Sequence, residues 1–366
     1  MPIDSDLRTS AMRLFESLDR VVFLKSLKKT KFCILLIVWA LCSSLLRGAD
    51  ELMNAPFALR FPAAFTHFSP FADVAAKGGA SAASPFGSSS NLAGIAWSFQ
   101  PQEFDYLASA NYDFLTFDSG TELHLSTQTL AFDVAELGVF RWAMIEFQSN
   151  RSLIRTAPVH YEFELLGTRL DWSKRFGDFG LGAGLGFTRA ETLFSTATVR
   201  LADSEKDNWT GRLSIQRQWG QRWLIGATAD YGLGRTEVLR ESVPGVFRRS
   251  LETSQQWMLQ TGLAYLITPK TAAHLDYQYA HLTHEAEELA FHRCAVGTDI
   301  PVLSWLILRT GGAVDQWGNL GFSGGLAWLP RRGATVNLAY QNGMFPVLDR
   351  EFGNAQMFNL SVSLKW

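Results

Sequence analysis

The chain has 366 residues, a net charge of −2 and a mean hydropathy of +0.02. This balance excludes a strongly basic nucleic-acid-binding protein, and it excludes a bundle of membrane helices, which needs long continuous apolar runs. Yet 13% of the residues are aromatic, including 12 Trp and 27 Phe. Many aromatic residues at neutral average hydropathy favour strands in which apolar and polar residues alternate.

The first feature along the chain is an uncharged apolar run, FCILLIVWALCSSLL, at residues 32–46. It follows a lysine cluster and precedes the small residues Gly48 and Ala49, which is the order of a secretory signal peptide. As a helix the run would cover ~22 Å, less than the ~30 Å of a bilayer core. We therefore predict a cleaved signal peptide with an N-terminal extension at residues 1–49. The alternative is an uncleaved membrane anchor.

Residues 50–100 differ in composition from the rest of the chain. They contain four prolines and a run of small residues, VAAKGGASAASPFGSSS, that begins at Val74. Such residues permit tight backbone packing but do not form a strand that faces lipid. The region is either a flexible periplasmic linker or, as we predict, a hatch or plug segment folded into the lumen of a barrel and leading into its first strand.

After residue 100 one local pattern repeats. Within residues 209–219, for example, Trp209, Leu213 and Ile215 share one face and mostly polar residues share the other. We predict an all-β fold at residues 101–366, a transmembrane antiparallel β-barrel of about 14 strands. The segments lie at 104–117, 121–134, 137–148, 159–174, 179–194, 207–219, 222–236, 255–268, 271–285, 289–299, 303–314, 318–329, 333–343 and 355–366.

The connections and the aromatic residues favour a membrane barrel over a soluble β-sandwich. Compact turns at 220–222, 268–270, 300–302 and 330–332 contrast with longer polar links at 237–254 and 344–354. This asymmetry is typical of outer-membrane barrels, which have short periplasmic turns and longer outer loops. Trp residues often lie at segment ends, where aromatic girdles meet the two membrane interfaces, whereas a sandwich would place them in its core.

The last twelve residues, AQMFNLSVSLKW, alternate strictly. Their apolar face is predicted to contact lipid, with the terminal Trp at the interface. This ending is also similar to the aromatic-terminated strand by which the barrel-assembly machinery recognises outer-membrane proteins. The predicted assembly signal consists of Phe358, Leu360, Val362, Leu364 and Trp366.

Two short motifs before the barrel resemble the FadL-like family of outer-membrane transporters. Lys77-Gly78-Gly79-Ala80 is similar to the Met-Gly-Gly-Ala element of that family's N-terminal hatch, and Asn91-Leu92-Ala93-Gly94-Ile95-Ala96 to its Asn-Pro-Ala-Gly-Leu-Ala element. Lys77 departs from the usual Met, and Leu92 from the usual Pro. The related PorV/PorQ-type branch shares both elements, and Phe352-Gly353-Asn354 is similar to its approach to the last strand.

This resemblance implies a fourteen-stranded barrel whose hatch plugs the lumen. It implies passive passage of small hydrophobic compounds, fatty-acid-like or aromatic, across the bacterial outer membrane. The PorV/PorQ branch implies instead a barrel that docks exported proteins or partners as a secretion or assembly component. The hatch motif residues are Gly78, Gly79, Ala80, Asn91, Ala93 and Gly94. Physically, Gly94 permits close backbone approach or a positive φ, and Asn91 can cap a turn. The alternative is an ordinary turn before the first strand.

Three other patterns in the sequence could carry chemistry. The glycine-rich stretch at 180–186 alternates as a strand and has no following helix, so we expect its glycines to make room for a plug or ligand rather than to bind a phosphate. His281 and His284 have a metal-like spacing but lie where a strand meets a loop, so a solvated loop tip is favoured. Basic residues on the polar strand face, Arg169 and Arg212, are candidate lumen contacts for an anionic head group.

Two further sets of polar residues resemble parts of a catalytic site. His124 and Ser126 share the polar face of one segment, and His160 and Glu162 share that of another. Polar side chains in a wet lumen need no catalytic role, so we expect no enzyme activity, no cofactor and no metal; an integral-membrane enzyme is the third hypothesis. The expected partners are outer-membrane lipid, the barrel-assembly machinery and either a small hydrophobic ligand or an exported protein.

Overall fold

The computed structural model describes residues 65, 71–77, 79–83, 91–98, 106–155, 159–196, 199–243, 246–268, 271–331 and 333–366. The predicted signal peptide and the hatch residue Gly78 lie outside these residues. Within these residues lie the helices α1 (Ala72–Ala75), α2 (Leu92–Ser98) and α3 (Asp349–Phe352), with 3-10 turns at Ala135–Leu137 and Pro346–Leu348. Within the described ranges no helix is both long and apolar enough to span a membrane.

The described residues contain fifteen strands, which follow one another along the chain. They are β1 (Tyr106–Phe117), β2 (Glu122–Val134), β3 (Gly138–Ser149), β4 (Ser152–Leu153), β5 (His160–Phe176), β6 (Phe179–Ser195), β7 (Arg200–Trp219), β8 (Trp223–Val243), β9 (Val246–Leu266), β10 (Ala272–His284), β11 (Glu287–Leu303), β12 (Leu306–Asp315), β13 (Leu320–Arg331), β14 (Ala334–Asn342) and β15 (Ala355–Lys365).

The sheet closes on itself. Each long strand pairs antiparallel with its neighbours, β1 pairs with β15, and β3 pairs with β5, so the two-residue β4 is an addition to a ring of fourteen. Closure leaves no free edge, as a barrel in lipid requires. The predicted antiparallel barrel of about 14 strands is confirmed.

The two rims of the barrel differ. At one rim the backbone N–H of Tyr106 donates to the carbonyl of Trp366 at 3.0 Å, and the N–H of Trp366 donates back at 3.1 Å. We call this rim the terminal end; its turns, such as 177–178 and 220–222, are short. The opposite rim, the loop end, carries the segment 343–354. Termini and tight turns on one side are typical of the periplasmic rim of outer-membrane barrels.

The predicted long link at 237–254 is wrong. β8 runs to Val243 and β9 begins at Val246, so this segment is a tight hairpin of two paired strands. Its charges pair across the strands, with Arg240 Nη2 2.8 Å from Glu252 Oε1. Above the membrane neither face of a strand has to be apolar. Here charged and apolar residues are mixed along the hairpin, so the segment resembles a loop in the sequence. The turn predicted at 300–302 is also displaced, because β11 continues to Leu303 past an irregularity at Pro301.

Exposed aromatic side chains mark two levels on the outer wall. Trp209 and Trp219 both face outward on β7 and are ten residues apart. At about 3.3 Å per residue and the usual strand tilt this spacing covers ~25 Å, the height of the apolar band of such barrels. Beyond Trp209 the outer face becomes charged, with Arg189 Nε 2.8 Å from Asp207 Oδ1. The positions agree with the predicted aromatic girdles.

Candidate functional site: a plugged lumen with an apolar loop end

The polarity of the strands reverses near the loop end. On β2, Leu123 and Leu125 are buried inside the barrel, while His124 lies on the outer face and contacts the Tyr112 hydroxyl at 2.6 Å. The expectation that His124 and Ser126 face a wet lumen is therefore wrong. On β5, Tyr161 is buried inside and His160 and Glu162 lie on the opposite face. Above the bilayer the outside of a strand is wet, so the apolar residues turn inward, and these polar sets are not gathered in the lumen.

The inward residues at the loop end form one apolar cluster, which we call the loop-end cluster. They come from strands on several sides of the barrel and from the segment 343–354, and they include Leu115, Phe117, Leu123, Tyr161, Leu282, Leu289, Phe291, Met344, Phe345, Val347, Leu348, Phe352 and Met357. Phe65, from the region before the barrel, packs on it with its ring 5.5 Å from Phe345. An ordinary porin interior is polar. The interior of this barrel at the loop end is apolar.

The segment 343–354, which we call the cap segment, closes the cluster from above. Its Phe352 ring lies 5.4 Å from the Phe117 ring and 6.0 Å from the Tyr161 ring. Backbone hydrogen bonds tie it to neighbouring turns: the N–H of Ser119 donates to Phe352 O at 2.8 Å, and the N–H of Arg155 donates to Glu351 O at 2.9 Å. The cap segment is thus docked rather than extended, although it was predicted as a long polar link.

An unusual carboxyl group lies on the cap segment. Asp349 is still partly open to solvent, but the partial loss of its water shell, with the nearby carboxylates of Asp118 and Asp315, raises its pKa to about 6. A carboxyl group whose pKa is raised in the folded state favours folding only while it is protonated. Its contribution is complete below an unfolded pKa near 4 and is lost as the pH rises through 6.

We expect the cap segment to be held more tightly at pH 5 than at pH 7.5. Hydrogen exchange of the amides at 347–352, corrected for intrinsic rates, should show greater protection at the lower pH. Asp349→Asn removes the titrating group and should abolish the difference. Equal protection at both pH values in the parent protein, or a difference that persists in the variant, would contradict this account.

Two helices of the hatch region, α1 and α2, lie in the lumen below the loop-end cluster. Helix α1 contacts β13, β14 and β15, and helix α2 contacts β5, β6 and β7. Side chains of the wall reach the ends of α1, since Gln341 Nε2 donates to Ala75 O at 2.7 Å and Ser323 Oγ donates to Ala76 O at 3.0 Å. At α2, the N–H of Ala96 donates to Ser173 Oγ at 3.2 Å.

Between the helices, Asp276 of β10 holds the hatch backbone. Its Oδ2 accepts hydrogen bonds from the N–H groups of Ser81 at 2.6 Å and Ala82 at 2.7 Å, and from Gln260 Nε2 at 2.7 Å. The side-chain amide of Asn91 donates to the Ala82 carbonyl. A carboxylate on two backbone N–H groups is a strong, charge-assisted contact. Asp276 was not singled out from the sequence, because its partners lie 194 and 195 positions away.

The structure places five of the six predicted hatch residues inside the barrel. Gly79 has φ +91°, and its carbonyl accepts from Gln278 Nε2 at 3.2 Å. Ala80 and Ala93 are fully buried. Gly94 lies within α2 and has no positive φ, so the suggestion that it turns the chain is wrong; Gly79 has that conformation. Residues 92–98 form a helix, which differs from the ordinary turn considered as the alternative.

Inward glycines make room for these pieces. A Cβ added at Gly182 would lie 2.5 Å from Leu92 Cβ, and one at Gly226 would lie 1.6 Å from Ala82 O. Real Cβ atoms do not approach so closely, so the wall and hatch fit only while these positions lack a side chain. The expectation that the 180–186 stretch provides space for a plug is confirmed.

A buried charge network joins the hatch to the wall. Asp299 Oδ1 accepts from Arg309 Nε at 2.7 Å, while its Oδ2 lies 2.8 Å from His274 Nε2 and 3.5 Å from Lys77 Nζ. Lys77 belongs to the hatch and is almost completely buried. Its ammonium group therefore has a structural partner, which accounts for a lysine where the FadL-like motif has Met.

The predicted anion contacts, Arg169 and Arg212, both face the interior and have carboxylate partners. Arg169 Nε donates to Asp171 Oδ1 at 2.6 Å, Arg141 Nη2 donates to Asp171 Oδ2 at 2.6 Å, and Arg212 pairs with Asp230. The group holds three guanidinium groups and two carboxylates. Arg169 Nη2 is buried with no hydrogen-bond partner among the described residues. A role in binding anions stays a prediction.

The other predicted sets are separated or remain untested. His281 lies 3.5 Å from Glu288, and His284 lies 2.9 Å from Glu252. No group of three metal-binding side chains occurs in the part of the chain that the structure describes.

The apolar side chains of the last strand share the outer face, and Trp366 stacks on Tyr106 with ring centroids 5.8 Å apart. Their role as an assembly signal stays a prediction.

Two apolar hollows lie on the outer wall, where glycines face outward. One, of about 510 Å³, surrounds Gly211 and includes Leu185, Leu213 and Trp257. The other, of about 380 Å³, surrounds Gly324. The strands behind the first hollow are paired at these positions, so it does not open into the lumen there.

No family model and no curated protein matches the chain, but solved structures do. The toluene transporter TbuX of Ralstonia pickettii is similar at 11% identity with a TM-score of 0.59, covering 82% of this chain and 98% of that one. The CymD monoaromatic hydrocarbon channel is similar at 12% identity and 0.55, covering 81% and 97%. A FadL homologue of Pseudomonas aeruginosa is similar at 13% identity and 0.53, covering 80% and 98%. At such identities the likeness establishes the fold.

Proposed function

We propose that this chain, which has the fold of the FadL-like channels, is an outer-membrane barrel for the passive passage of small hydrophobic compounds. The observation that carries the proposal is the loop-end cluster, an apolar interior where a porin would be polar. Compounds would enter at the loop end, contact the cluster and pass the hatch. The proposed passage needs no chemical step and no cofactor, so we propose no enzyme activity.

The energetics of the loop-end cluster suit passage. Burying a side chain the size of Phe in an apolar environment is worth roughly 1.5–3 kcal/mol. A single-ring compound would therefore bind the cluster weakly once the costs of association are counted. Conduction needs a site that is favourable enough to enter and weak enough to leave. The names of two similar structures, a toluene transporter and a monoaromatic hydrocarbon channel, point to compounds of this size.

The hatch would control this route. In this proposal residues 50–100 are the plug. Of the motif residues, Gly79, Ala80, Asn91, Ala93 and Gly94 lie inside the barrel, and Gly78 is outside the described residues. Arg169 and Arg212 would attract an anionic head group where a compound has one. Passage then requires the hatch to shift, which breaks contacts such as those of Asp276 and re-forms them afterwards.

The remaining expectations complete the proposal. Residues 1–49 would be removed as a signal peptide, and the last strand would be recognised by the barrel-assembly machinery before insertion into lipid. The alternative role, docking of exported proteins as in the PorV/PorQ branch, is less favoured. The segment 237–254 is a paired hairpin, and the cap segment is closed over the interior, so neither is a free docking loop.

The test is uptake across an intact outer membrane, since apolar compounds cross phospholipid bilayers unaided. A Gram-negative host that lacks its own channels of this fold would express the chain, and entry of radiolabelled toluene and of a long-chain fatty acid would be measured. We expect faster entry of at least one compound than in the empty host, with unchanged entry of a labelled disaccharide. Entry rates equal to those of the empty host, at equal barrel expression, would contradict the proposal.

A further inference from the structure

Three buried oxygen atoms on neighbouring strands lack hydrogen-bond partners. Asn111 and Asp113 of β1 and Thr127 of β2 face the interior and are each only 2–3% exposed. Asn111 Oδ1, Asp113 Oδ2 and Thr127 Oγ1 have no partner within the part of the chain that the structure describes. The other carboxylate oxygen of Asp113 accepts from the side-chain amide of Asn359. Buried polar atoms are normally satisfied, so these three oxygens require an explanation.

The three residues form one patch, which we call the acceptor patch. Asn111 lies directly opposite Thr127 in the β1–β2 register, and Asp113 is the next inward residue along β1. Diagonal neighbours on one sheet face are about 7–8 Å apart, within reach of a single bound group. None of the ion pairs between described residues involves Asp113. The patch therefore offers acceptors and a carboxylate without a counter-charge, which is costly in a buried place.

The surroundings of the acceptor patch change sharply toward the loop end. The next inward residues on β1 are Leu115 and Phe117, and those on the flanking strands include Leu125 and Met357. All four are buried and apolar. The patch thus lies at the foot of the loop-end cluster. A molecule with a hydrogen-bond donor at one end and an apolar body would match both parts.

We propose that the acceptor patch binds the ammonium group of a small apolar amine, which enters by the hydrophobic route proposed above. An ammonium group has three N–H donors and one positive charge, which match three free acceptors and one carboxylate. A hydroxyl group has one donor and would leave two oxygens unsatisfied. Calcium requires six to eight oxygen ligands, more than the patch provides. The inference rests on the proposed function for the entry route and adds a class of compound to it.

The experiment measures binding of benzylamine to the purified full-length barrel in mild detergent by titration calorimetry. Benzyl alcohol, of the same size and neutral, is the comparison compound. We expect benzylamine to bind more tightly than benzyl alcohol. Asp113→Asn should weaken benzylamine binding about tenfold or more, the usual worth of a hydrogen-bonded charge, and Thr127→Val should weaken it a few-fold. Both compounds should bind Asp113→Asn alike.

The matched control is Asp133→Asn, which removes the same charge at an exposed position on β2. It should bind benzylamine as the parent protein does, and heat-dependent gel mobility would confirm that every variant is folded. If Asp113→Asn binds benzylamine as tightly as the parent, the inference fails. A competition titration with sodium chloride or potassium chloride, at the ionic strength of the other titrations, tests for an inorganic cation. If either salt displaces benzylamine, the patch is a site for an inorganic cation and the inference also fails. Toluene uptake by the host separates the two proposals, because it tests the route without the patch.

Discussion

Asp299→Asn is expected to unlock the hatch and to destabilise the protein strongly. The carboxylate of Asp299 is buried and faces Lys77 from the hatch and His274 and Arg309 from the wall. The amide has the same size but no charge, so two cations would stay buried without a counter-ion. Removing one partner of a buried ion pair lowers the free energy of unfolding by about 3–5 kcal/mol. We expect a lower unfolding temperature and, because Lys77 is freed, a higher ion conductance in planar bilayers.

The control for Asp299 is a surface pair. Asp207→Asn breaks an exposed contact with Arg189, a change worth about 0–1 kcal/mol. Lys77→Met, which restores the residue of the FadL-like motif, should recover part of the loss when combined with Asp299→Asn, because the unpaired hatch cation disappears. An Asp299→Asn protein with the unfolding temperature and conductance of Asp207→Asn would show that this network does not hold the hatch.

Gly226→Ala is expected to push the hatch from the wall. Its Cβ would lie 1.6 Å from the carbonyl oxygen of Ala82 and 3.0 Å from Asn91 Nδ2. The obstructing atom is backbone, so relief requires the hatch to move, and overpacking of this kind costs about 1–3 kcal/mol. The displaced segment would lose the hydrogen bonds that Ser81 and Ala82 give to Asp276. We expect faster protease cleavage between α1 and α2.

The same strand provides a matched control for this substitution. Gly232 also faces inward on β8, and a Cβ there would have its nearest neighbours at 3.5 Å, an ordinary contact. Gly232→Ala should therefore leave both cleavage and conductance unchanged. If the two variants behave alike, the close approach of Ala82 to β8 is not a feature of the protein in the membrane.

The sequence allowed the barrel to be predicted because membrane strands alternate in a regular way. Residues such as Trp209, Leu213 and Ile215 repeat the two-residue period where one face meets lipid. The same two-residue period is misleading where strands leave the membrane. The hairpin at 237–254 mixes charged residues with exposed apolar ones such as Phe247 and Leu251, so its sequence resembles a loop. Leu123 and His124 still alternate between the two faces of β2. At the loop end, however, the apolar residue faces the lumen and the polar residue faces outward, so the alternation alone predicted the opposite orientation.

The candidate site was only partly predictable. The motif residues that the structure describes lie inside the barrel, and Arg169 and Arg212 face the interior, as their positions in the sequence led us to expect. Their roles stay predictions. Asp276 and Asp299 were missed, since each meets hatch residues about 200 positions earlier and neither has a local signal. The loop-end cluster was missed for the same reason: Phe117, Tyr161 and Phe352 come together only when the barrel closes.

The central claim, that apolar compounds enter the loop-end interior, is tested most directly by photolabelling. Membranes containing the protein would be exposed to a diazirine derivative of toluene and irradiated, and the labelled residues would be identified by mass spectrometry. The account predicts labelling of loop-end cluster residues such as Leu115, Phe352 and Met357, reduced by excess toluene. Labelling confined to the outer wall, around Leu185 and Trp209, would show that such compounds meet this barrel only as part of the lipid and would contradict the proposed function.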